Sequence, residues 1–203
     1  MLTLYYHPLA SYCWKVLIGL YETETPFTPN VVDLSEATQR AALMRLSLFG
    51  KFPVIEDGDE VVAESTTILE RFPALIPDAI AAEVRARDRF FDLYVHTPMQ
   101  KIVDDRIRPE DSKDPLGVSR ARDTLRVAYH VIERTMADRR TWAAGETFTM
   151  ADCSAAPALY YANEVAPLDA HPHTRAYLDR LKARPSFARV LDEAAPYFQM
   201  FPR

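Results

Sequence analysis

The chain has little glycine, little cysteine and no long apolar run, and each shortage narrows what it can be. Five glycines stand against fifteen prolines in 203 residues. That balance suits helices joined by proline-punctuated connections and argues against a large β-barrel. Cys13 and Cys153 are the only cysteines, which supports neither a disulfide framework nor a zinc site. No metal is expected, and a reducing cytoplasm is the simplest home. No apolar run approaches the ~20 residues that span a bilayer. The opening Met1-Leu2-Thr3-Leu4-Tyr5-Tyr6 lacks a charged leader, so no secretory signal is expected. Basic excess is missing too. A net charge of −5 and the absence of a basic stripe give no broad attraction to nucleic acid or to an anionic membrane.

What is present is an ordinary globular composition, 48% hydrophobic and 26% charged, long enough for one large or two small domains. Leu2 to Tyr6 reads as a short strand ended by His7-Pro8. From Tyr12 onward, Cys13, Val16, Leu17, Leu20 and Tyr21 repeat at helical spacing, with Lys15 and Glu22 outside that face. Phe27 to Val32 reads as a second strand, and Ser35 to Leu48 as a helix capped by Ser35. Asp57-Gly58 is a hairpin signal between two β-branched runs. Ser65 is placed to cap a helix running to about Phe72. The order β-α-β-α-β-β-α calls for an α/β layer of thioredoxin-like type.

Pro73 to Asp78 breaks the pattern, and beyond it no strand is expected. Helical segments follow at Ala79–Ile107, Val118–Arg139, Thr149 to about Val165, Thr174–Arg184 and Ser186–Ala195, with Pro109–Gly117 a polar loop. The expected division is an α/β domain over residues 1–75, a linker over 76–82 and an all-helical domain over 83–203. Thr149 and Asp152 stand at capping-box spacing, a folding role that outweighs any active-site reading of Asp152. His171-Pro172-His173 reads as a loop, and two histidines without further ligands make a poor metal site.

Gly50-Lys51-Phe52-Pro53-Val54, the hairpin and Glu64-Ser65 together resemble the glutathione site of the cytosolic glutathione transferases, and the two-domain order extends that resemblance over essentially the whole chain. The resemblance implies a cis peptide at Pro53. It implies that the Val54 backbone pairs with the cysteinyl part of glutathione, that Glu64-Ser65 holds the γ-glutamyl end, that Lys51 lies near the glycine carboxylate, and that Phe52 is a further glutathione-binding residue. It also implies a homodimer joined near the Ser65 helix and the Ala79–Ile107 helix. The second partner is a small hydrophobic electrophile, in an apolar pocket between the domains. Tyr94, Met99 and Tyr160 are candidates for its walls, and Tyr197–Phe201 either covers it or docks on the helical domain.

The reaction needs a thiolate, and a cysteine-like thiol is mostly protonated at neutral pH, with a pKa of about 8.5. A hydrogen bond to a charged group is worth about 1.5–3 kcal/mol, so one hydroxyl donor lowers the thiol pKa by roughly one to two units. The family's usual donor position is Ala10 here, which has no donor. Ser11 is the first candidate, then Tyr6, then Cys13. The bland readings are a helix cap for Ser11, strand packing for Tyr5 and Tyr6, and a small buried hydrophobe for Cys13. Ala10 also leaves open a glutathione-binding stress or regulatory protein with little transferase activity. A glutathione-dependent isomerase or peroxidase needs the same thiolate.

Overall fold

The computed structural model describes residues 2–202. Met1 and Arg203, the outer ends of the two expected domains, lie outside the described residues. Thr3–Tyr6 (β1), Thr28–Val31 (β2), Val54–Asp57 (β3) and Glu60–Ala63 (β4) form one sheet in the order β2-β1-β3-β4. β1 pairs parallel with β2 (Thr3 opposite Thr28) and antiparallel with β3 (Tyr5 opposite Val54). β3 and β4 form the hairpin, closed by Gly58 at φ +64°, where glycine carries no steric cost. Ser11–Glu22 (α1), Ala37–Leu46 (α2) and Ser65–Leu69 (α3) complete this half. A helical half follows: Ala81–Phe90 (α4), Thr97–Ile107 (α5), Pro115–Met136 (α6), Met150–Val165 (α7), Pro172–Ala183 (α8) and Pro185–Ala194 (α9). A thioredoxin-like α/β layer followed by an all-helical domain is therefore the architecture. Among the described residues, no helix is long and apolar enough to cross a membrane.

Several expected boundaries move, each for a physical reason. Ser65 is the first helical residue, and the preceding Glu64 turns the chain at φ +71°. Ser35 does not cap α2; its N–H and hydroxyl both donate to Asp33 in a tight turn, and the helix starts two residues later. α2 also stops at Leu46, which leaves Leu48 and Phe49 exposed. α6 begins at Pro115, before the expected Val118, because Asp114 accepts from the Gly117 N–H at 2.8 Å. His171 precedes α8, and Pro172 and His173 form its first turn rather than a loop.

The expected long helix 79–107 is broken by a π-helical turn, Phe91–His96. Pro98 explains it. A proline inside a helix donates no hydrogen bond and crowds the carbonyl four residues back. The Thr97 N–H accordingly reaches Asp92 O, five residues back. π-turns widen a helix by one residue and re-aim the side chains around them.

α1 is the hub of the core. Its buried residues run from Cys13 to Leu20 without a break; it packs on α3, α7 and α9 and shares one buried cluster with Leu4 and Ile55 of the sheet. Gly19 permits the close approach of α3: a Cβ there would meet Leu69 at 2.3 Å. Trp14 lies among Tyr160, Tyr161, Phe187 and Phe198, and Glu22 takes two hydrogen bonds from Arg184 at 2.8 and 2.7 Å.

The Thr149–Asp152 box is formed, and it does more than cap α7. The buried Asp152 carboxylate accepts from the N–H groups of Thr149 (2.9 Å) and Ala143 (2.8 Å) and from the Tyr177 hydroxyl (2.6 Å). It thus joins α7, α8 and the loop before them. Asp152→Ala leaves several buried donors without partners, each costing about 1–3 kcal/mol. We expect it to destabilise the protein by at least about 3 kcal/mol in urea unfolding. A loss below about 1 kcal/mol would reduce the box to a simple cap.

Candidate functional site

Two adjoining cavities open along the first turn of α1. The larger, about 610 Å³, lies between the Ala10–Tyr12 segment, α5 and the chain's last residues. The smaller, about 320 Å³, lies between the Phe52-Pro53 bend, the Glu64-Ser65 corner and Asp92. Tyr12, Lys51 and Phe52 line both, so the two form one continuous cleft.

Of the residues picked out in the sequence, the structure gathers Ser11, Lys51, Phe52, Pro53, Glu64 and Ser65 around this cleft. The Phe52-Pro53 peptide is cis. Val54 is fully buried and lines neither cavity. Glu64 is a non-glycine residue at positive φ, a conformation costing roughly 1–3 kcal/mol that concentrates at ligand sites. It sets Ser65 into the smaller cavity.

Tyr6 is not brought to the cleft. It lines a separate cavity of about 680 Å³ with Tyr21, Phe27 and α9. Burial, then the charge of Glu193, pushes its phenol pKa up. The Tyr5 hydroxyl donates to Glu56 across β1 and β3. Cys13 is wholly buried, and burial pushes its thiol pKa well up, which keeps it protonated. Tyr94 and Tyr160 also lie elsewhere: Tyr94 is exposed, and Tyr160 packs on Trp14 and Phe198. Met99 does line the larger cavity, and Tyr161 takes the place expected of Tyr160. Met200, Phe201 and Pro202 form part of the wall, with Phe201 stacked on Tyr161, while Tyr197 lines the Tyr6 cavity and Phe198 packs on Trp14 and Tyr160.

Four buried polar residues, Asp92 in the cleft wall and Lys15, Asp88 and His96 behind it, escaped the sequence reading. Lys15, read as lying off the apolar face, is 1% exposed. Its ammonium bonds Asp88 Oδ1, Asp92 Oδ2 and the Thr66 hydroxyl oxygen, each at 2.7 Å. The Thr66 hydroxyl donates to Asp88 at 2.9 Å, and the Ser154 hydroxyl also donates to Asp88. Asp92 keeps its other oxygen, Oδ1, buried and without a partner among the described residues at the wall of the smaller cavity. Burial raises the Asp92 pKa, with Lys15 opposing the rise and Asp88 adding to it. The sequence signal was available: Asp88 and Asp92 stand one helical turn apart, on a segment whose buried positions include Val84, Phe91 and Val95.

His96 is the fourth. Its Nε2 lies 2.5 Å from Ser11 Oγ, and its ring stacks on Tyr12 with centroids 3.7 Å apart. Burial, and secondarily the charge of Lys15, pushes its pKa down to about 3, so it is neutral at physiological pH. Burial first, then Asp92, raises the Tyr12 pKa to about 12, so its phenol keeps its proton.

A family model described as the glutathione S-transferase N-terminal domain matches residues 4–78, and one described as the C-terminal domain matches residues 93–185. Glutathione S-transferase 3 of Zea mays is 30% identical, over 94% of this chain and 93% of its own length. A stringent starvation protein A homolog of Histophilus somni is 22% identical, over 97% and 92%. A glutathione S-transferase of Methylobacillus flagellatus, solved with glutathione bound, shares the fold at a TM-score of 0.85 and 20% identity, covering 94% of this chain and 98% of that one. One of Methylobacterium radiotolerans, solved with glutathione sulfonate, gives 0.80 and 25%, with 93% of each covered.

The Lys15 network predicts a specific non-additivity. Lys15→Met strands two buried carboxylates and is expected to cost about 3–5 kcal/mol in thermal or urea unfolding. Lys15→Met with Asp92→Asn is expected to cost less than Lys15→Met alone, because one stranded charge is removed. Additive losses would mean that the charges are not coupled.

Proposed function

We propose that this chain, which belongs to the glutathione S-transferase family, binds reduced glutathione along the continuous cleft and activates its thiol for attack on a small hydrophobic electrophile. The observation that carries this reading is the chemistry at the two ends of the cleft. The smaller cavity offers Glu64, the Ser65 hydroxyl and the unpartnered Asp92 oxygen, which suit the ammonium and carboxylate of a γ-glutamyl group. The larger offers the Ser11 hydroxyl at the start of α1, beside an apolar wall that includes Met99 and Val103. A ligand spanning Tyr12 and Phe52 meets an amino-acid-binding end and a thiol-stabilising end. Lys51 lies at the shared rim, where it can meet a glycine carboxylate, and the Val54 backbone is the partner for the cysteinyl unit.

Ser11 is the proposed thiol donor. The N-terminus of the twelve-residue α1 adds to its effect. Tyr6 and Cys13 fit less well, the one lining another cavity and the other wholly buried. The division at 1–75, 76–82 and 83–203 belongs to the same reading: glutathione on the first domain, the electrophile largely on the second. Two buried thiols and no disulfide among the described residues fit a reducing cytoplasm.

A second reading has its own support. Ala10, which precedes α1, supplies no side-chain cap bond and no hydroxyl, and Ser11 is already engaged with His96. A glutathione-binding regulatory protein would tolerate both, and the resemblance to a stringent starvation protein A homolog agrees with it. Glutathione-dependent isomerase or peroxidase chemistry would use the same thiolate.

Titrating the ultraviolet absorbance of the bound thiolate separates these readings. Under the transferase reading, bound glutathione has a thiol pKa about one to two units below the free value, and Ser11→Ala restores it. Ser65→Ala weakens binding about tenfold and leaves the pKa in place. Binding with an unshifted pKa favours the regulatory reading, and no binding of reduced glutathione contradicts both.

We also propose a homodimer. Leu48 (93% exposed), Phe49 (81%), Leu93 (56%) and Tyr94 (52%) leave apolar surface exposed on the α2–β3 loop and on the π-turn. Sedimentation should give a dimer that Phe49→Asp weakens or dissociates. A monomeric wild type contradicts this.

A further inference from the structure

We propose that His96 is a positioning residue for the Ser11 hydroxyl: it donates its Nε2–H to Ser11 Oγ and turns the serine's own proton toward the cleft. This rests on the reading of Ser11 as the thiol donor, and it names what makes Ser11 able to act.

The geometry comes from two halves of the chain. Ser11 is the first residue of α1, and His96 is the last residue of the π-turn. Ser11 Oγ and His96 Nε2 are 2.5 Å apart, with Ser11 7% and His96 1% exposed. The ring cannot swing freely, because it stacks on Tyr12 at 14° between planes. The turn that carries it is held by the Thr97 hydroxyl and N–H, both donating to Asp92 O. The Lys15 ammonium nearby is spent on Asp88, Asp92 and Thr66, and the partner of His96 Nε2 is Ser11.

A neutral imidazole has one donor nitrogen and one acceptor nitrogen, and its tautomer decides what Ser11 can do. If Nε2 is bare, Ser11 spends its only proton on the histidine and turns lone pairs toward the ligand. Lone pairs repel a thiolate and hold the thiol protonated. If Nε2 carries the proton, Ser11 accepts from it and its own O–H is free for the sulfur. A hydroxyl that accepts one hydrogen bond also donates the next more strongly. Only the Nε2–H form therefore makes Ser11 an activator. No proton leaves either residue in this arrangement, and His96 is neither base nor nucleophile.

The direct test is nitrogen NMR of the protein carrying 15N-labelled histidine, with reduced glutathione bound. The expected result is a protonated Nε2 and a bare Nδ1 at His96. The reverse tautomer overturns the proposal. Variants give the second readout. His96→Phe keeps a ring on Tyr12 and removes the N–H. It should raise the bound thiol pKa by about one unit and lower kcat about tenfold below that pKa, with the KM for glutathione changed less than about twofold. His96→Gln, whose amide nitrogen reaches the Nε2 position, should recover most of the shift. If His96→Phe leaves the pKa unmoved while Ser11→Ala raises it, Ser11 acts without His96 and the proposal fails. If Ser11→Ala also leaves it unmoved, the reading of Ser11 beneath it fails.

Discussion

Lys15 is the constraint around which the site is assembled. An ammonium that is 1% exposed cannot be left unpaired, since moving a charge out of water costs several kcal/mol even after relaxation. Its three partners come from α3, α4 and the π-turn, and Ser154 of α7 completes the shell around Asp88. One buried charge thus fixes the sheet half to the helical half at the place where Thr66 follows Ser65. Asp92 has one oxygen in this network and the other unpartnered at the smaller cavity. The same residues that hold the two halves together hold the cleft in shape.

The π-turn is the second determinant, and it follows from Pro98. A regular helix through residues 91–97 would rotate Asp92 and His96 differently against α1. The extra residue in the turn brings Asp92 to Lys15 and His96 to Ser11 together. Asp92 then lines the smaller cavity, and His96 stands behind Ser11 at the larger. A single proline therefore reaches, through backbone geometry, both ends of the cleft.

The alternation of short strands and helices, the Asp57-Gly58 turn and the Thr149–Asp152 box were legible in the sequence because each is written in neighbouring residues. The cis Phe52-Pro53 bend and the Glu64-Ser65 pair were legible from the resemblance. Helix starts slipped by one to three residues where a side chain bonded in a way that propensity does not encode, as Asp33 with Ser35 and Asp114 with Gly117. Lys15, Asp88, Asp92 and His96 were missed because their partners lie 22 to 85 residues away. A lysine between Trp14 and Val16 reads as a solvent-facing charge until the fold encloses it. Tyr6 showed the converse error: it ends β1 facing a different cavity, while His7, the first residue past the strand, lines the cleft.

The proposed binding mode has the sulfur of glutathione beside Ser11, with the γ-glutamyl end at Ser65 and Asp92. A crystal structure of the complex with reduced glutathione tests that placement most directly. The predicted result puts the sulfur within about 3.5 Å of Ser11 Oγ and the ligand's ammonium on Asp92 Oδ1. A sulfur turned away from α1, or a γ-glutamyl group that leaves Asp92 Oδ1 without a partner, would contradict it.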